Sequence, residues 1–248
     1  MNTNSLALQT WIYQHWIAGY SRSEESYPES DNLKVHGLNL AFSGSLHSHN
    51  HGDGYWDDGW VMQAQEADGA VALCKNHLTI HADRQKHLRP DAVVTIGETL
   101  ELKCPKNIVE ADRYVAVGNA GKPQGDRLQL CIHLDASQVN EIMEWITIKF
   151  NAIELRFTLA VLYDPLDYPR REAAILQVQL RDRPIALPLL LNWISQTSLL
   201  PEIPLFTTPI QPGLGAIEVP EKVSDIFQYY CQQAATQQLE MLRSSLED

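Results

Sequence analysis

The pattern of apolar and polar residues predicts four helices, each beginning near a residue that favours a helix start. They run from Asn4 or Ser5 to about Ala18, from Asp135 or Ser137 to about Phe150, from Pro184 or Pro188 through Trp193, and from Ser224 or Asp225 to the end of the chain. In the second helix Val139, Ile142, Met143 and Ile146 share one face. We therefore expect that face to pack on the core.

Between the helices, alternating apolar and polar residues predict β-strands. A hairpin is expected over residues 60–82, with its turn at Ala67, Asp68 and Gly69. Further strands are expected over residues 38–42, 92–104, 113–119, 127–134, 155–164 and 172–180. This order of elements favours an α+β fold: a single domain with a mixed or antiparallel sheet packed against helices.

Two stretches depart from the regular pattern. Residues 43–60 are rich in glycine and aspartate, which predicts tight turns rather than a helix or a strand. Residues 200–215 contain four prolines and two glycines, which predicts an extended connection. We expect residues 1–34 to form an N-terminal helix and a polar loop, and residues 35–248 to form the α+β domain.

Composition narrows the classes of function. The formal net charge of −12 argues against a general binder of nucleic acid or of an anionic membrane, because both require a basic surface. No apolar stretch is long enough to cross a bilayer, and the first residues lack a signal-peptide pattern. We therefore expect a cytoplasmic protein, with export by a specialised secretion system left open. The four cysteines are scattered, as is usual for reduced thiols, and they are Cys74, Cys104, Cys131 and Cys231.

Three segments, in this order, are similar to segments of the HopA-type effector family. They are DGYWDDGW (residues 53–60), the stretch from a strand near Leu134 through a helix to VLYDPLDYPR (residues 161–170), and IPLFTTPIQPGLG (residues 203–215). The resemblance extends over about residues 35–240 and implies the α+β fold of that family.

The resemblance also implies a chemistry. Some members of the family are phosphothreonine or phosphoserine lyases, which eliminate phosphate from a protein or peptide, and relatives in class V lanthipeptide biosynthesis, a RiPP pathway, act beside a separate kinase. The implied partners are a phosphorylated protein or ribosomal precursor peptide and, with it, a partner kinase. The elimination needs a base for the Cα proton and cations for the departing phosphate, and it requires no cofactor and no metal.

Arg170 is the first candidate for binding that phosphate. It lies where the family pattern has an arginine before a strand, and a guanidinium group there can bind phosphate oxygens with two parallel hydrogen bonds. Glu172 takes an acidic position of the same pattern and could orient the arginine, with Tyr168 as a further supporting residue. The alternative interpretation is an ordinary surface salt bridge at the start of the strand.

Lys75 and Arg127 are the other candidate phosphate-binding residues. Lys75 lies in the predicted hairpin, where a lysine is more often simply solvated. Arg127 shares a strand face with Gln129, and the resemblance implies an arginine near the position of Gln129. Arg127 could therefore substitute for that arginine.

Two departures from the family pattern bear on activity. Ala160 stands where the family has a lysine before its Val-Leu-Tyr strand, so the expected base is missing. Near the C-terminus, Tyr230 and Cys231 replace a histidine–arginine pair, and Tyr230 could supply only a weak hydrogen-bond donor. The sequence therefore leaves open a second hypothesis, in which the chain is a pseudoenzyme: a non-catalytic subunit that binds a peptide or a partner.

The histidines of the H-x-H-x-H segment, His47, His49 and His51, allow a competing interpretation. On a strand their side chains would share one face and could bind zinc, copper or nickel. The neighbouring glycines favour a loop with solvated histidines instead, so we predict no metal site.

Other residues of chemical interest have structural interpretations. Trp56 and Trp60 are expected to be core aromatic residues. His77 and His81 are expected to lie on one face of a strand as a surface pair.

Overall fold

A computed structural model describes residues 13–19, 34–35, 38–110, 112–223 and 229 of the chain. Most of these residues belong to two antiparallel sheets and to the helices packed on them. The α+β architecture that the sequence predicts is confirmed, with antiparallel rather than mixed strand pairing in both sheets.

A short ribbon near the N-terminal end contains the first two strands, β1 (Lys34–Val35) and β2 (Leu38–Asn39). A four-stranded sheet follows, with the order β5–β4–β3–β6. Its strands are β3 (Tyr55–Gln65), β4 (Ala70–Lys75), β5 (Leu78–Asp83) and β6 (Thr99–Cys104).

The larger sheet has seven strands in the order β12–β13–β9–β11–β10–β8–β7. Its strands are β7 (Asn107–Val109), β8 (Arg113–Val117), β9 (Arg127–Ile132), β10 (Phe157–Leu162), β11 (Ala174–Gln179), β12 (Thr208–Gln211) and β13 (Leu214–Val219). Strand β11 therefore lies at the centre of the sheet, between β9 and β10.

The helices in the described part of the chain are α1 (Leu40–His49), α2 (Arg84–His87), α3 (Val139–Ala152) and α4 (Arg183–Ile194). Helix α3 follows a short 3₁₀ turn over Ala136–Gln138. Asp135 and Gln138 form a reciprocal capping box there, which satisfies backbone donors that the first turn would otherwise leave free. None of the described helices combines the length and the apolar character needed to span a membrane.

One face of the seven-stranded sheet forms the main core with helix α3. The predicted apolar face of this helix is confirmed, since the side chains of Val139, Ile142, Met143 and Ile146 are fully buried. These residues share one hydrophobic cluster with residues of β9, β10 and β11. A smaller cluster, which includes Trp60 and Met62, lies on the four-stranded sheet. The opposite face of the larger sheet is thereby left for other contacts.

The structure corrects the prediction of tight turns over residues 43–60. Asn39 caps helix α1 by accepting a hydrogen bond from the backbone N–H of Phe42 at 3.0 Å, and the helix continues to His49. From helix α3, Asn140 donates to the hydroxyl of Ser45 at 2.9 Å. Contacts of this kind stabilise a segment of low helix propensity, and strand β3 then begins at Tyr55. The predicted strand over residues 38–42 is accordingly limited to Leu38–Asn39.

The predicted turn at residues 67–69 is confirmed, but the predicted hairpin contains a second turn. Asn76 and His77 both have positive φ angles there, and they separate β4 from β5. The predicted strand over residues 92–104 begins only at Thr99. The predicted extended connection over residues 200–215 ends at Thr208, where a hairpin of β12 and β13 begins that continues to Val219. Glycine at position 213 has the positive φ that the hairpin turn requires.

Parts of two predicted helices fall outside the described residues. Of the N-terminal helix the structure describes Tyr13–Ala18, which forms a π-helical turn rather than an α-helix. The helix predicted from Ser224 lies outside the described residues apart from Tyr229. The predicted division of the chain at residue 34 stays a prediction.

Candidate functional site

A cavity of about 460 Å³ lies on the face of the seven-stranded sheet that is turned away from helix α3. Its floor is built from side chains of four adjacent strands, β8, β10, β11 and β9. The floor residues are Val115, Thr158, Ala160, Ile175, Gln177, Gln129 and Cys131. We refer to this space as the sheet cavity.

Strand alternation places these side chains together. Ala160 is the register partner of Val115 on one side and of Ile175 on the other, and Ile175 pairs in turn with Cys131. The residues between them point to the opposite face, where Leu159 is fully buried in the main core. The sheet therefore presents an apolar face to helix α3 and a mixed, partly polar face to the cavity.

A network of ion pairs closes one end of the sheet cavity. Glu172 Oε1 accepts hydrogen bonds from Arg170 Nη2 at 2.7 Å and from Arg113 Nη2 at 3.3 Å. Asp112 Oδ2 accepts a further bond from Arg170 Nη1 at 2.9 Å. The Tyr13 hydroxyl donates to Glu172 Oε1 at 2.6 Å and accepts from Arg170 Nη2. We call these five residues the paired end.

The side chains at the centre of the paired end are almost completely removed from solvent. The exposed fractions are 3% for Glu172, 8% for Arg113 and 11% for Arg170. A buried charge is costly unless a partner and hydrogen bonds compensate for it, and here each charge has both. One oxygen, Glu172 Oε2, is buried and has no hydrogen-bond partner among the described residues.

The opposite charges keep the paired end ionised. Burial alone would raise the pKa of the Glu172 carboxyl, but Arg113 and Arg170 outweigh burial and hold the pKa below its ordinary value. Burial would also lower the pKa of the Arg170 guanidinium, yet Glu172, Tyr13 and Asp112 raise it above the ordinary value. Glu172 is therefore a weak proton acceptor, because its charged form is the stabilised one.

Two cations without ion-pair partners among the described residues lie at the other end of the cavity. Arg127 donates from Nη2 to the backbone carbonyl of Val223 at 2.8 Å, and its Nε is buried without a hydrogen-bond partner. Lys122 is exposed on the loop between β8 and β9, and its Nζ lies 5.7 Å from the ring centroid of Tyr55. We call Lys122 and Arg127 the unpaired end.

The sheet cavity brings together several residues that the sequence singles out. Ala160, Arg127, Gln129 and Glu172 all line it. The Gln129 side chain accepts a hydrogen bond from Gln177 Nε2 at 2.9 Å. Arg170 does not line the cavity; it lies behind Glu172 and is held by carboxylates on two sides. The expected orienting contact between Glu172 and Arg170 is present.

Other predicted site residues are not brought to the cavity. Lys75 lies on the four-stranded sheet, where its Nζ is 2.7 Å from Asp57 Oδ2 and 2.6 Å from the carbonyl of Asp58. Tyr168 is 2% exposed and donates from its hydroxyl to the carbonyl of Leu162 at 3.0 Å, as a core residue does. Tyr230 lies outside the described residues.

Four residues of the two ends were missed by sequence reasoning: Tyr13, Asp112, Arg113 and Lys122. Arg113 carried a usable signal, because a charged residue in a strand of otherwise apolar residues needs a buried partner of opposite charge. Tyr13, Asp112 and Lys122 carried no such signal, since a tyrosine in a helix and a charged residue in a polar turn or loop are commonplace.

The structure corrects the strand and loop interpretations of the H-x-H-x-H segment. His47 and His49 lie in the last turn of α1, where His47 Nδ1 is 3.1 Å from the Tyr114 hydroxyl and His49 Nδ1 is 2.8 Å from the carbonyl of Ser45. His51 follows the helix, with Nε2 3.7 Å from a Glu144 carboxylate oxygen. In the described part of the chain, no three histidine, cysteine or acidic side chains are grouped as metal ligands.

Of the remaining predictions for aromatic residues and histidines, some are confirmed and others are wrong. Trp60 is a core residue of the four-stranded sheet, as predicted. Trp56 is not, because it is half-buried with the Arg89 guanidinium 4.3 Å from its ring centroid. His77 lies in a turn rather than on a strand face, while His81 lies on β5 and pairs with Glu66 at 2.5 Å.

Comparison with known proteins found one family and one solved structure to which this chain is similar. The model of the HopA1 effector protein family matches residues 104–236, which is more than half of the chain and includes most of the sheet cavity. A solved structure, that of an effector protein from Pseudomonas syringae pv. tomato strain DC3000, is similar with 13% sequence identity and a TM-score of 0.49. That similarity covers 94% of this chain and 78% of the other. No protein with a curated description matches the sequence.

Proposed function

The chain belongs to the HopA1 effector protein family, and we propose that its sheet cavity binds a phosphorylated serine or threonine side chain of a protein or ribosomal precursor peptide. The phosphate would lie against Arg127 and Lys122. A protein kinase is the class of enzyme that would supply such a ligand, and neither the binding nor the chemistry discussed below calls for a metal or an organic cofactor.

The observation that carries this proposal is that two cations of the cavity form no ion pair with any described residue, in a cavity that also contains Ala160. Arg127 has a buried Nε without a hydrogen-bond partner in the described structure, and Lys122 forms no ion pair there. A phosphate dianion can accept hydrogen bonds from both side chains, and charge-assisted bonds of this kind are stronger than neutral ones. The paired end offers no comparable opportunity, because its cations already hold carboxylates.

We further propose that the ligand is held without elimination of its phosphate. Elimination requires a base that removes the Cα proton while the bond between Cβ and the phosphate oxygen breaks and a Cα–Cβ double bond forms. The methyl group of Ala160 cannot accept a proton. Glu172 lines the same cavity, but its lowered pKa makes it a weak base. The function that this geometry supports best is therefore that of a non-catalytic phosphopeptide-binding protein.

An active phosphothreonine or phosphoserine lyase is the second candidate function. The observation that favours it is Lys122, because a lysine amine of the same cavity could replace the missing base from a different position. In that case Lys122 would take the Cα proton and Arg127 would neutralise the departing phosphate.

Binding of matched peptides tests the recognition of phosphate, which both candidate functions require. A fluorescent peptide with phosphothreonine and the same peptide with threonine are titrated with the protein, and fluorescence anisotropy gives the affinities. We expect the phosphopeptide to bind at least tenfold more tightly, and Arg127→Gln to remove most of that difference, since a hydrogen bond to a charged group contributes about 1.5–3 kcal/mol. Arg84→Gln is the matched control, because Arg84 is exposed beside the four-stranded sheet. Equal affinity for the two peptides would refute the proposal.

Mass spectrometry of the bound phosphopeptide then decides between binding and elimination. An unchanged mass supports the non-catalytic function. Loss of phosphoric acid that is abolished by Lys122→Gln supports the lyase instead. The variant Ala160→Lys is measured in the same way. If it gains the ability to eliminate phosphate, the phosphorylated residue of the ligand lies over the cavity floor near position 160.

A further inference from the structure

The charged side chains that line the sheet cavity form two groups. Some neutralise one another in ion pairs, and the others have no ion-pair partner among the described residues and could bind a ligand. Asp112, Arg113 and Glu172 belong to the paired end, where they are neutralised within the protein together with Arg170. Lys122 and Arg127 remain at the unpaired end. One acidic residue also remains: Glu110 lines the cavity, is exposed, and forms no ion pair with any residue that the structure describes.

Glu110 lies beside the paired end. Its backbone N–H donates to the carbonyl of Arg113 at 3.0 Å across the turn between β7 and β8. Glu172, at the same end, contributes the buried Oε2 that has no hydrogen-bond partner in the described structure. At this end of the cavity, Glu110 and Glu172 Oε2 can therefore accept a hydrogen bond from a cation or another donor of a ligand. At the unpaired end, Lys122 and Arg127 can bind an anion.

Strand register gives the separation of the two ends. Arg113 on β8 is the register partner of Leu162 on β10. Val161 is the register partner of Ala174 on β11, so in this antiparallel pair Leu162, and with it Arg113, lies opposite position 173. Arg127 is level with Gln179. Six residues along β11 at about 3.3 Å per residue give a separation of roughly 20 Å. An extended peptide spans the same length with about six residues.

We propose that the sheet cavity selects phosphopeptides that carry a basic residue within about six residues of the phosphorylated side chain. The phosphate binds at Lys122 and Arg127, and the lysine or arginine side chain of the ligand binds at Glu110. This inference rests on the proposed phosphopeptide binding and adds to it the charge pattern of the ligand. The formally acidic chain thus uses a cavity with one cationic end and one anionic end to recognise a ligand of mixed charge.

A peptide series tests this directly. Each peptide has one phosphothreonine and a single lysine at one of the positions one to six residues before or after it, with glutamine at the remaining positions; a second series has glutamate in place of the lysine. Anisotropy titrations of the wild-type protein should favour lysine over glutamate about twofold to fivefold at the best position, which is the range for one exposed ion pair. The preference should decrease as salt is added.

Charge reversal at the protein provides the control. Glu110→Lys should invert the preference, so that glutamate peptides bind more tightly than lysine peptides. Glu98→Lys makes the same change in net charge at an exposed position near the four-stranded sheet and should leave the preference as in the wild type. If phosphopeptides bind better than their unphosphorylated forms but lysine, glutamine and glutamate are equivalent at every position, this inference is wrong and the proposed function stands. If phosphorylation itself has no effect on binding, the proposed function fails as well.

Discussion

The two ends of the sheet cavity contain similar cations in opposite situations. At the paired end, Arg113 and Arg170 are buried and share the carboxylate of Glu172. At the unpaired end, Arg127 and Lys122 have no carboxylate partner in the described structure. The first arrangement fixes the position of protein side chains, and the second leaves charge available to a ligand. An arginine in a cavity is thus informative about binding only after its internal partners are known.

The largest expected effect comes from breaking the paired end. Glu172→Gln leaves Arg113 and Arg170 buried without their shared carboxylate, and such a change destabilises a protein by about 3–5 kcal/mol. Urea unfolding followed by tryptophan fluorescence measures the loss. Glu98→Gln, at an exposed position, is the control and should change the free energy of unfolding by less than about 0.5 kcal/mol. A loss below 1 kcal/mol in Glu172→Gln would mean that the network contributes little to stability.

Acid should weaken the paired end in the same way as that substitution. The folded-state pKa of Glu172 lies below its unfolded value, so its contribution to stability is fully present above the ordinary glutamate pKa of about 4.3 and is lost as the pH falls through the lower, folded-state pKa. Wild type and Glu172→Gln should therefore converge in stability at low pH. Urea unfolding of both proteins across the acidic range measures this, and a constant difference would contradict it.

The smallest expected effect on stability is at the unpaired end. Arg127→Gln removes one hydrogen bond to the carbonyl of Val223 and a buried Nε that has no hydrogen-bond partner in the described structure. We expect a loss of less than about 1 kcal/mol in the free energy of unfolding, although we expect the same variant to lose most of the proposed phosphopeptide selectivity. A loss as large as that of Glu172→Gln would remove the distinction between the two ends, because Arg127 would then be a structural residue.

Local patterns in the sequence predict those parts of the fold that depend on neighbouring residues. The buried face of α3 follows from the spacing of Val139, Ile142 and Ile146, and the shared face of Arg127 and Gln129 follows from strand alternation. Helix α1 could not be predicted in this way. Its sequence favours turns, and it is held by contacts such as that from Asn140, which is 95 residues away from Ser45.

The paired end shows the same limit for the candidate site. Glu172 and Arg170 are two residues apart, so their contact could be expected from the sequence alone. Tyr13 is 159 residues from Glu172, and Arg113 is 59 residues from it. Because a sequence does not state which distant segments meet, the burial of Arg170 between two carboxylates became evident only in three dimensions.

The alternation along β11 has a consequence for how this protein can change. Ile175 and Gln177 face the sheet cavity, while Leu176 and Val178 are fully buried on the other side. Inserting or deleting one residue in this central strand would exchange the two sets, moving leucine and valine into the cavity and glutamine into the core. Ligand specificity can therefore diverge by replacement of single side chains on the cavity face, but changes of length are confined to the loops at the ends of the strand.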